Sequence, residues 1–240
     1  MPFGDDMNSE KILVTGAAGG MGNALCLMLK DSGAFVIAAD KSECAVCDTQ
    51  YNLDLTSEGA PETLCKKLNA DGHKPTCVVH LMGGRLETDT QPPSAETMAK
   101  TMRLNLTAAT EINSFIIPAM VEAGGGKIIH ISSDAAENGN ASPCYVAAKS
   151  AVNAYVRSSA RYYGEKGVLI CAVAPGITEH PTSDWTQKKI TNPDYYNARI
   201  NMMPLKRFLR ADETAEIILA VIRMKGMALN GSVITANGGL

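Results

Sequence analysis

The sequence predicts one doubly wound α/β domain spanning residues 1–240, with a parallel sheet of about seven strands and helices on both faces. Three observations carry this. Short β-branched apolar runs alternate with longer helical stretches from start to finish, the pattern of strands buried on both faces. No repeat, linker or low-complexity tract divides the 240 residues, a length that α/β folds commonly manage in one unit. The unusual residues fall at the carboxyl ends of the apolar runs, where such sheets bind ligands.

Residues 11–15 read as the first buried strand. Glycine-rich residues follow, then a helix over about 21–32 with Leu25, Met28 and Leu29 on one face and Gly33 as its stop. Residues 34–40 form a second strand, and a short polar connection leads to a third at 51–55. A helix near 58–69 precedes the apolar strand 76–82. The stretch 94–122 is a long helix, introduced by Pro92-Pro93 and closed by Gly124-Gly125-Gly126, with Pro118 expected to kink its last turns. Strand 127–133, helix 143–166 and strand 168–174 follow, the last ended by Pro175-Gly176. Residues 177–211 are irregular and polar, with short helical pieces. A helix at 212–225, started by Asp212 as N-cap, and a last strand at 232–236 complete the order.

Composition narrows the function. Twenty-two Lys+Arg against 25 Asp+Glu leave a formal charge of −3, which gives no electrostatic reason to expect nucleic acid or an anionic membrane as partner. No apolar run approaches the roughly 18 residues a membrane helix requires. Residues 1–6 are acidic and lack an apolar stretch, unlike a targeting segment. Seven cysteines in a chain of this size favour free thiols and the cytoplasm. Cys44 and Cys47 have the spacing of a metal knuckle or a redox pair, but no second Cys or His pair completes a site, so no metal is expected.

Two constellations carry chemistry. Thr15-Gly16-Ala17-Ala18-Gly19-Gly20-Met21-Gly22 joins the first strand to the first helix; glycines there let the backbone turn tightly and approach a pyrophosphate at the positive end of a helix. Asp40 ends the next strand, where a carboxylate accepts hydrogen bonds from ribose hydroxyls and repels a 2′-phosphate. The glycine loop has no Arg or Lys to hold such a phosphate, although Lys41 is a contrary charge, so NAD is expected over NADP. In the second constellation, Tyr145 and Lys149 stand at i and i+4 on one helix face. A phenol titrates near 10, and a neighbouring ammonium lowers that value toward general acid–base work. Ser133, ending the preceding strand, is able to hydrogen-bond a substrate oxygen.

These residues resemble the classical short-chain dehydrogenase/reductase family over essentially the whole chain. Thr15-Gly16-x-x-x-Gly20-x-Gly22 matches its cofactor loop, and Asp54-Leu55-Thr56 its adenine-pocket segment. Asn105 falls at its helix asparagine; Ser133, Tyr145-Val146-Ala147-Ala148-Lys149 and Pro175-Gly176-Ile177-Thr178 complete the order. The turn 237–239 is similar to the family's last turn. The resemblance implies a Rossmann-type fold, Tyr145 as acid/base, and Ser133 orienting the reacting oxygen. It implies Lys149 holding the nicotinamide ribose and lowering the Tyr145 pKa, Asn105 extending a proton relay through water, and residues 175–178 along the nicotinamide. Gly16, Gly20, Met21, Gly22, Asp40, Asp54, Leu55, Met82, Gly83 and Gly84 would complete the cofactor site.

There are four departures from the family pattern. Leu81-Met82-Gly83, followed by Gly84, stands where Asn-Ala-Gly is usual. The stretch 40–54 is too short for the usual crossover helix. Ser132 rivals Ser133, which follows the Ile-x-x pattern more closely. His180 stands near the place of a usual threonine, with Thr182 following.

The reading is therefore an NAD-dependent oxidoreductase interconverting a secondary alcohol and a ketone on a small molecule. The alternatives are an NADP-dependent 3-oxoacyl thioester or other ketone reductase, and an inactive dinucleotide-sensing protein. A basic substrate-side patch would mark the reductase, and none is evident. Residues 177–211, with Trp185, Tyr195, Tyr196, Met202 and Met203, are expected to cover the substrate, with His180 as a candidate contact. His80 and His130 read as core groups and Cys144 as packing. Apolar residues on more than one face of the two long helices, including Ile112, Phe115, Ile116, Val152 and Tyr155, together with the resemblance, imply a homotetramer or homodimer.

Overall fold

The computed structural model describes residues 7–181 and 183–240, so the acidic start at 1–6 and Thr182 lie outside the described residues. The chain runs β1 (Lys11–Thr15), α1 (Gly20–Asp31), β2 (Phe35–Asp40), β3 (Thr49–Asn52), α2 (Ala60–Ala70), β4 (Cys77–His80), α3 (Ala95–Met102), a π-helical turn (Arg103–Thr107) and α4 (Ala108–Glu122). It continues through β5 (Gly126–Ile131), α5 (Ala135–Asn138), α6 (Pro143–Tyr163), a 3-10 turn (Gly164–Lys166) and β6 (Val168–Pro175). The last elements are β7 (Thr178–Glu179), α7 (Asp184–Thr191), α8 (Pro193–Met202), β8 (Leu209–Arg210), α9 (Ala211–Arg223) and β9 (Val233–Ala236). Seven strands form one parallel sheet in the order β3-β2-β1-β4-β5-β6-β9, the doubly wound arrangement expected.

Period-two alternation divides the side chains of each strand between two cores. Ile12 and Val14 of β1, with Val79, Ile129 and Val173, pack under α1 and α9 through Leu25, Leu29, Ile218 and Ile222. Leu13, with Ile37, Val78, Ile128 and Ile170, packs under α2, α4 and α6 through Leu64, Ile112 and Val152. Both faces are covered, which is why the strands read as unbroken apolar runs.

The structure corrects several boundaries. The third strand is 49–52, not 51–55, and is followed by a turn in which Asp54 Oδ1 accepts from Thr56 N at 2.9 Å. The helix expected to bend at Pro118 runs through it to Glu122 and departs from α geometry at Arg103–Thr107 instead. The final helix begins at Ala211 with Arg210 as N-cap, so Asp212 sits in its first turn. The 177–211 segment is mostly ordered secondary structure: two helices, α7 and α8, and the two-stranded ribbon of β7 and β8. Of the five residues read as an association surface, Ile112, Ile116 and Val152 are buried in the chain's own core and Tyr155 packs against it; Phe115 is exposed.

His80 and His130 stand opposite each other on adjacent strands and share one buried network. His80 Nε2 lies 2.8 Å from Asn113 Oδ1, Asn113 Nδ2 lies 3.1 Å from His130 Nε2, and the same amide donates to the Tyr155 hydroxyl at 3.2 Å. Burial brings His80 from 6.5 down to about 4, against a raising contribution from its hydrogen bond to Asn113. Burial, with the charges of His80 and Lys149, lowers His130 in the same direction. Below pH 6.5 the unfolded chain therefore binds protons the folded chain refuses. Stability contributed by neutral histidine is full above that pH and falls toward pH 4. His80 alone is worth roughly 3 kcal/mol over this window. Urea midpoints at pH 7.5 and 5 should differ less in His80→Asn than in the parent; an unchanged difference overturns this account.

Candidate active site

The sheet order places β1 beside β4, so the loops leaving their carboxyl ends diverge over a crevice. Gly16, at φ 72°, begins the first loop, and a Cβ there would meet Met82 N of the second at 2.6 Å. The two loops touch only because this residue has no side chain. A Cβ on Gly22 would stand 2.2 Å from the Gly16 carbonyl oxygen, and one on Gly20 would stand 2.2 Å from His180 Cγ. Gly19 is the N-cap of α1, with no side-chain cap bond, and the first turn holds no acid. The positive end of α1 thus faces the crevice without an internal anion. Asp40 closes the other side of the loop: its Oδ2 accepts from Ala18 N at 3.1 Å and its Oδ1 from Ser42 N at 2.9 Å. A glycine cradle at an uncapped helix start, with a carboxylate ending the next strand, fits a dinucleotide.

Next to the cradle is a cavity of about 660 Å³. Ser133, Tyr145 and Lys149 share its wall with Met21, Gly83, Gly84, the 175–178 run and His180. Burial pushes the Tyr145 phenol up; a hydrogen bond with Ser133 pulls it down and the Asp134 charge pushes it up again. Lys149 Nζ lies 5.6 Å from the Tyr145 ring centroid and donates to Ile131 O at 2.7 Å, and burial brings its ammonium down to about 8. Here the balance differs from the sequence reading. The group that pulls the phenol down in this geometry is the serine hydroxyl, and the phenol as a whole stands above its usual value.

The two candidate serines separate by their contacts. Ser132 Oγ is committed inward, donating to Asn153 Oδ1 at 2.6 Å, whereas Ser133 Oγ accepts from Ala135 N at 3.2 Å beside the phenol. Asn105 sits in the π-helical turn, the kind of irregularity that often marks functional positions. Its amide donates to Gly84 O and Thr101 O, both at 2.9 Å, and its oxygen accepts from Gly84 N at 3.0 Å. A Cβ on Gly83 would meet both Asn105 Oδ1, at 2.8 Å, and Lys149 Nζ, at 3.0 Å. Asn105 therefore lies behind the cavity wall, against Gly83.

Other residues named from sequence stand apart from this cavity. Gly16, Gly20, Gly22, Asp40 and Met82 belong to the glycine-loop side. Asp54 is engaged with Thr56, and the Leu55 side chain is in the core. Cys144 is buried, and all seven cysteines are free. No metal-binding cluster exists among the described residues. Trp185 and Tyr195 stack at 5.8 Å and 9° and line the cavity; Tyr196 and Met203 are buried in a small core with Phe208, and Met202 is exposed.

Two features escaped the sequence. Asp89 is buried and takes the N-terminus of α6 in its carboxylate, accepting from Cys144 N at 3.1 Å and Tyr145 N at 2.9 Å. Burial raises its pKa, but these bonds outweigh that and hold it below the usual carboxylate range. The helix bearing Tyr145 and Lys149 is thus anchored from a loop 55 residues away in sequence. The second feature is a group of cations: Arg85, Lys188 and Arg199 all line the cavity. They come from three separate elements, and no motif signals them.

Comparison with known proteins agrees with this geometry. The 3-oxoacyl-[acyl-carrier-protein] reductase FabG of Thermotoga maritima is 25% identical over 247 residues, covering 98% of both chains. The 7alpha-hydroxysteroid dehydrogenase of Escherichia coli K12 is 26% identical over 248 residues, covering 97% of this chain and 94% of the other. The structure of a 3-oxoacyl (acyl-carrier-protein) reductase from Agrobacterium tumefaciens C58 with NADP bound superimposes with a TM-score of 0.89 at 20% identity, over 99% of this chain and 96% of that one. The family model described as enoyl-(acyl carrier protein) reductase matches residues 16–240. With the family's cofactor loop, Tyr-x-x-x-Lys helix and strand order all present, the chain belongs to the short-chain dehydrogenase/reductase family, whose members act on CH–OH groups with a nicotinamide dinucleotide.

Proposed function

We propose that this oxidoreductase interconverts a secondary alcohol and a ketone on a small molecule, prefers NAD, and uses Tyr145 as its general acid/base. The observation that carries the reading is the sharing of one cavity wall by Ser133, Tyr145 and Lys149 beside the glycine cradle. When bound, the dinucleotide supplies the redox chemistry, exchanging a hydride with the carbon that bears the reacting oxygen. Tyr145 and Lys149 would hold its nicotinamide ribose, Pro175, Gly176, Ile177 and Thr178 its nicotinamide, and Gly16, Gly20, Met21 and Gly22 its pyrophosphate. Asp40, Asp54 and Leu55 would hold the adenosine, with Met82, Gly83 and Gly84 closing the second loop.

In oxidation the substrate hydroxyl passes its proton to the Tyr145 oxygen; in reduction the phenol returns it. Ser133 Oγ hydrogen-bonds the same substrate oxygen and keeps the phenol from rising further. Lys149 supplies positive charge that offsets phenolate, and Asn105, behind Gly83, carries the relay onward through water. The presence of all four residues weighs against a protein that only senses the dinucleotide. Seven free thiols support a reducing compartment such as the cytoplasm, no helix among the described residues is long and apolar enough to cross a membrane, and the family resemblance supports a homotetramer or homodimer.

Asp40 supports NAD because a carboxylate at the end of that strand repels a 2′-phosphate, and the loop it closes has no Arg or Lys. The second reading, an NADP-dependent 3-oxoacyl reductase, is favoured by the relative from Thermotoga maritima and by Arg85, Lys188 and Arg199 on the cavity wall, a basic substrate-side group that the sequence did not show. Nicotinamide absorbance with each dinucleotide, against a panel of secondary alcohols and 3-oxoacyl thioesters, separates the two. Asp40→Ala should reduce the preference for NAD over NADP by about 10- to 100-fold, the worth of charge-assisted hydrogen bonds. Unchanged discrimination removes Asp40 as its origin.

A further inference from the structure

Three cations converge on the wall of the cavity that holds Tyr145. Lys188 of α7 has its ammonium 4.5 Å from the Trp185 ring centroid and 5.7 Å from that of Tyr195. Arg199 of α8 has its guanidinium carbon 6.0 Å from the same Trp185 centroid. Arg85, in the loop after β4, faces Asp184 at 3.7 Å. Among the described residues Lys188 forms no side-chain hydrogen bond or ion pair. Arg199 forms no ion pair and uses one nitrogen, donating to Asn140 Oδ1 at 3.2 Å.

The acids of the cavity do not balance this charge. Asp184 is taken by Arg85. Asp134 is raised by burial, ahead of the lowering effects of Ser133, Ala135 N, Asn138 and the Arg199 charge, so it answers Arg199 and leaves Lys188 without an acid of its own. Burial lowers the Lys188 ammonium, Arg85 and Arg199 lower it further, and Asp184 opposes them. Lys188 and Arg199, both half-buried, have been brought together over the stacked Trp185–Tyr195 pair, with Arg85 on the same cavity wall.

We propose that the substrate is an anion: a secondary alcohol or ketone bearing a carboxylate or phosphate, whose charge is held by Lys188 and Arg199 while its body lies on Trp185 and Tyr195. This rests on the alcohol-oxidoreductase reading for the reaction itself. The cavity of about 660 Å³ is shared with the nicotinamide end of the dinucleotide, and the room left suits a small molecule. The charged group then sits on the same wall as the reacting centre.

Trp185 is the chain's sole tryptophan, so its emission reports ligand arrival at this wall directly. The full chain with NAD is titrated with benzoate, phenyl phosphate and the uncharged benzamide. The expected result is saturable quenching by at least one anion, about tenfold tighter than benzamide and weakened by added salt. Whichever anion binds tighter identifies the charged group. Lys188→Met and Arg199→Met should each cut the preference for the anion several-fold, and the double variant should abolish it. Equal binding of benzamide, no quenching by either anion, or a preference that survives the double variant overturns the proposal. Tyr145→Phe should retain the anion preference. A parent protein that binds benzoate tightly but turns over no alcohol or ketone would sink the reaction assignment and leave the anion site standing.

Discussion

Tyr145→Phe should lower turnover by about 10³-fold, within the range that a positioned general acid–base group contributes. The substitution removes one oxygen and keeps the ring that α6 buries, so the fold and the cavity shape persist. What is lost is the phenol that stands with Ser133 and Lys149 on the cavity wall. Dinucleotide affinity should change by no more than a few-fold, because the glycine cradle and Asp40 are untouched. The measurement pairs steady-state rates with a fluorescence titration of NADH. Retention of more than about a tenth of the parent rate would show that another group moves the proton, since a lost acid–base group costs at least 10²-fold. Ser133→Ala is the informative companion: it removes the hydrogen bond that holds the phenol down, so the pH at which oxidation reaches half its maximum should move upward.

Gly16→Ala is the second large effect, and it acts on the other half of the site. The residue has φ 72°, where an L side chain is strained, and its Cβ would stand 2.6 Å from Met82 N and 2.8 Å from the carbonyl carbon of Leu81. These are backbone atoms of the neighbouring loop and cannot swing aside. Strain and displacement together should cost about 1–3 kcal/mol of stability. They should also weaken dinucleotide binding more than tenfold by opening the crevice between β1 and β4. Gly59→Ala is the control: its φ is also 72°, but a Cβ there meets nothing within 4 Å. It should lose stability without losing dinucleotide affinity. Equal loss of affinity in both variants would mean that general destabilisation, not contact between the loops, is responsible.

The five inner strands of the sheet were legible because they are buried on both sides and read as apolar runs, whereas the edge strand β3, polar and only partly buried, was read at 51–55. The glycine loop and the Tyr145–Lys149 pair were legible because each is local, set within a single connection or a single helical turn. Even there, spacing said that the two side chains share a face but not where the ammonium goes; Ile131 O claims it. The segment 177–211 was illegible because α7 and α8 bury few residues and lean on a core of their own. Their starts were nevertheless written in caps: Ser183 accepts from Thr186 N, and Asn192 accepts from Tyr195 N. The grip of Asp89 on α6 and the convergence of Arg85, Lys188 and Arg199 are long-range facts with no periodic trace. The π-helical turn at Asn105 likewise leaves no signature in residue type.

Tyr196, Met203 and Phe208 pack among themselves, with Ile177, Trp185 and Ile200 around them, and the Tyr196 hydroxyl donates to both Glu179 carboxylate oxygens, at 3.1 and 3.0 Å. The cover over the cavity is thus a module with its own fastening. On the proposed anion site, exchanges at Lys188, Tyr195 or Arg199 should alter what the protein accepts and leave the sheet and its crossover helices undisturbed. The acid–base residues and the aromatic-cationic wall thus stand on separately packed parts of the chain.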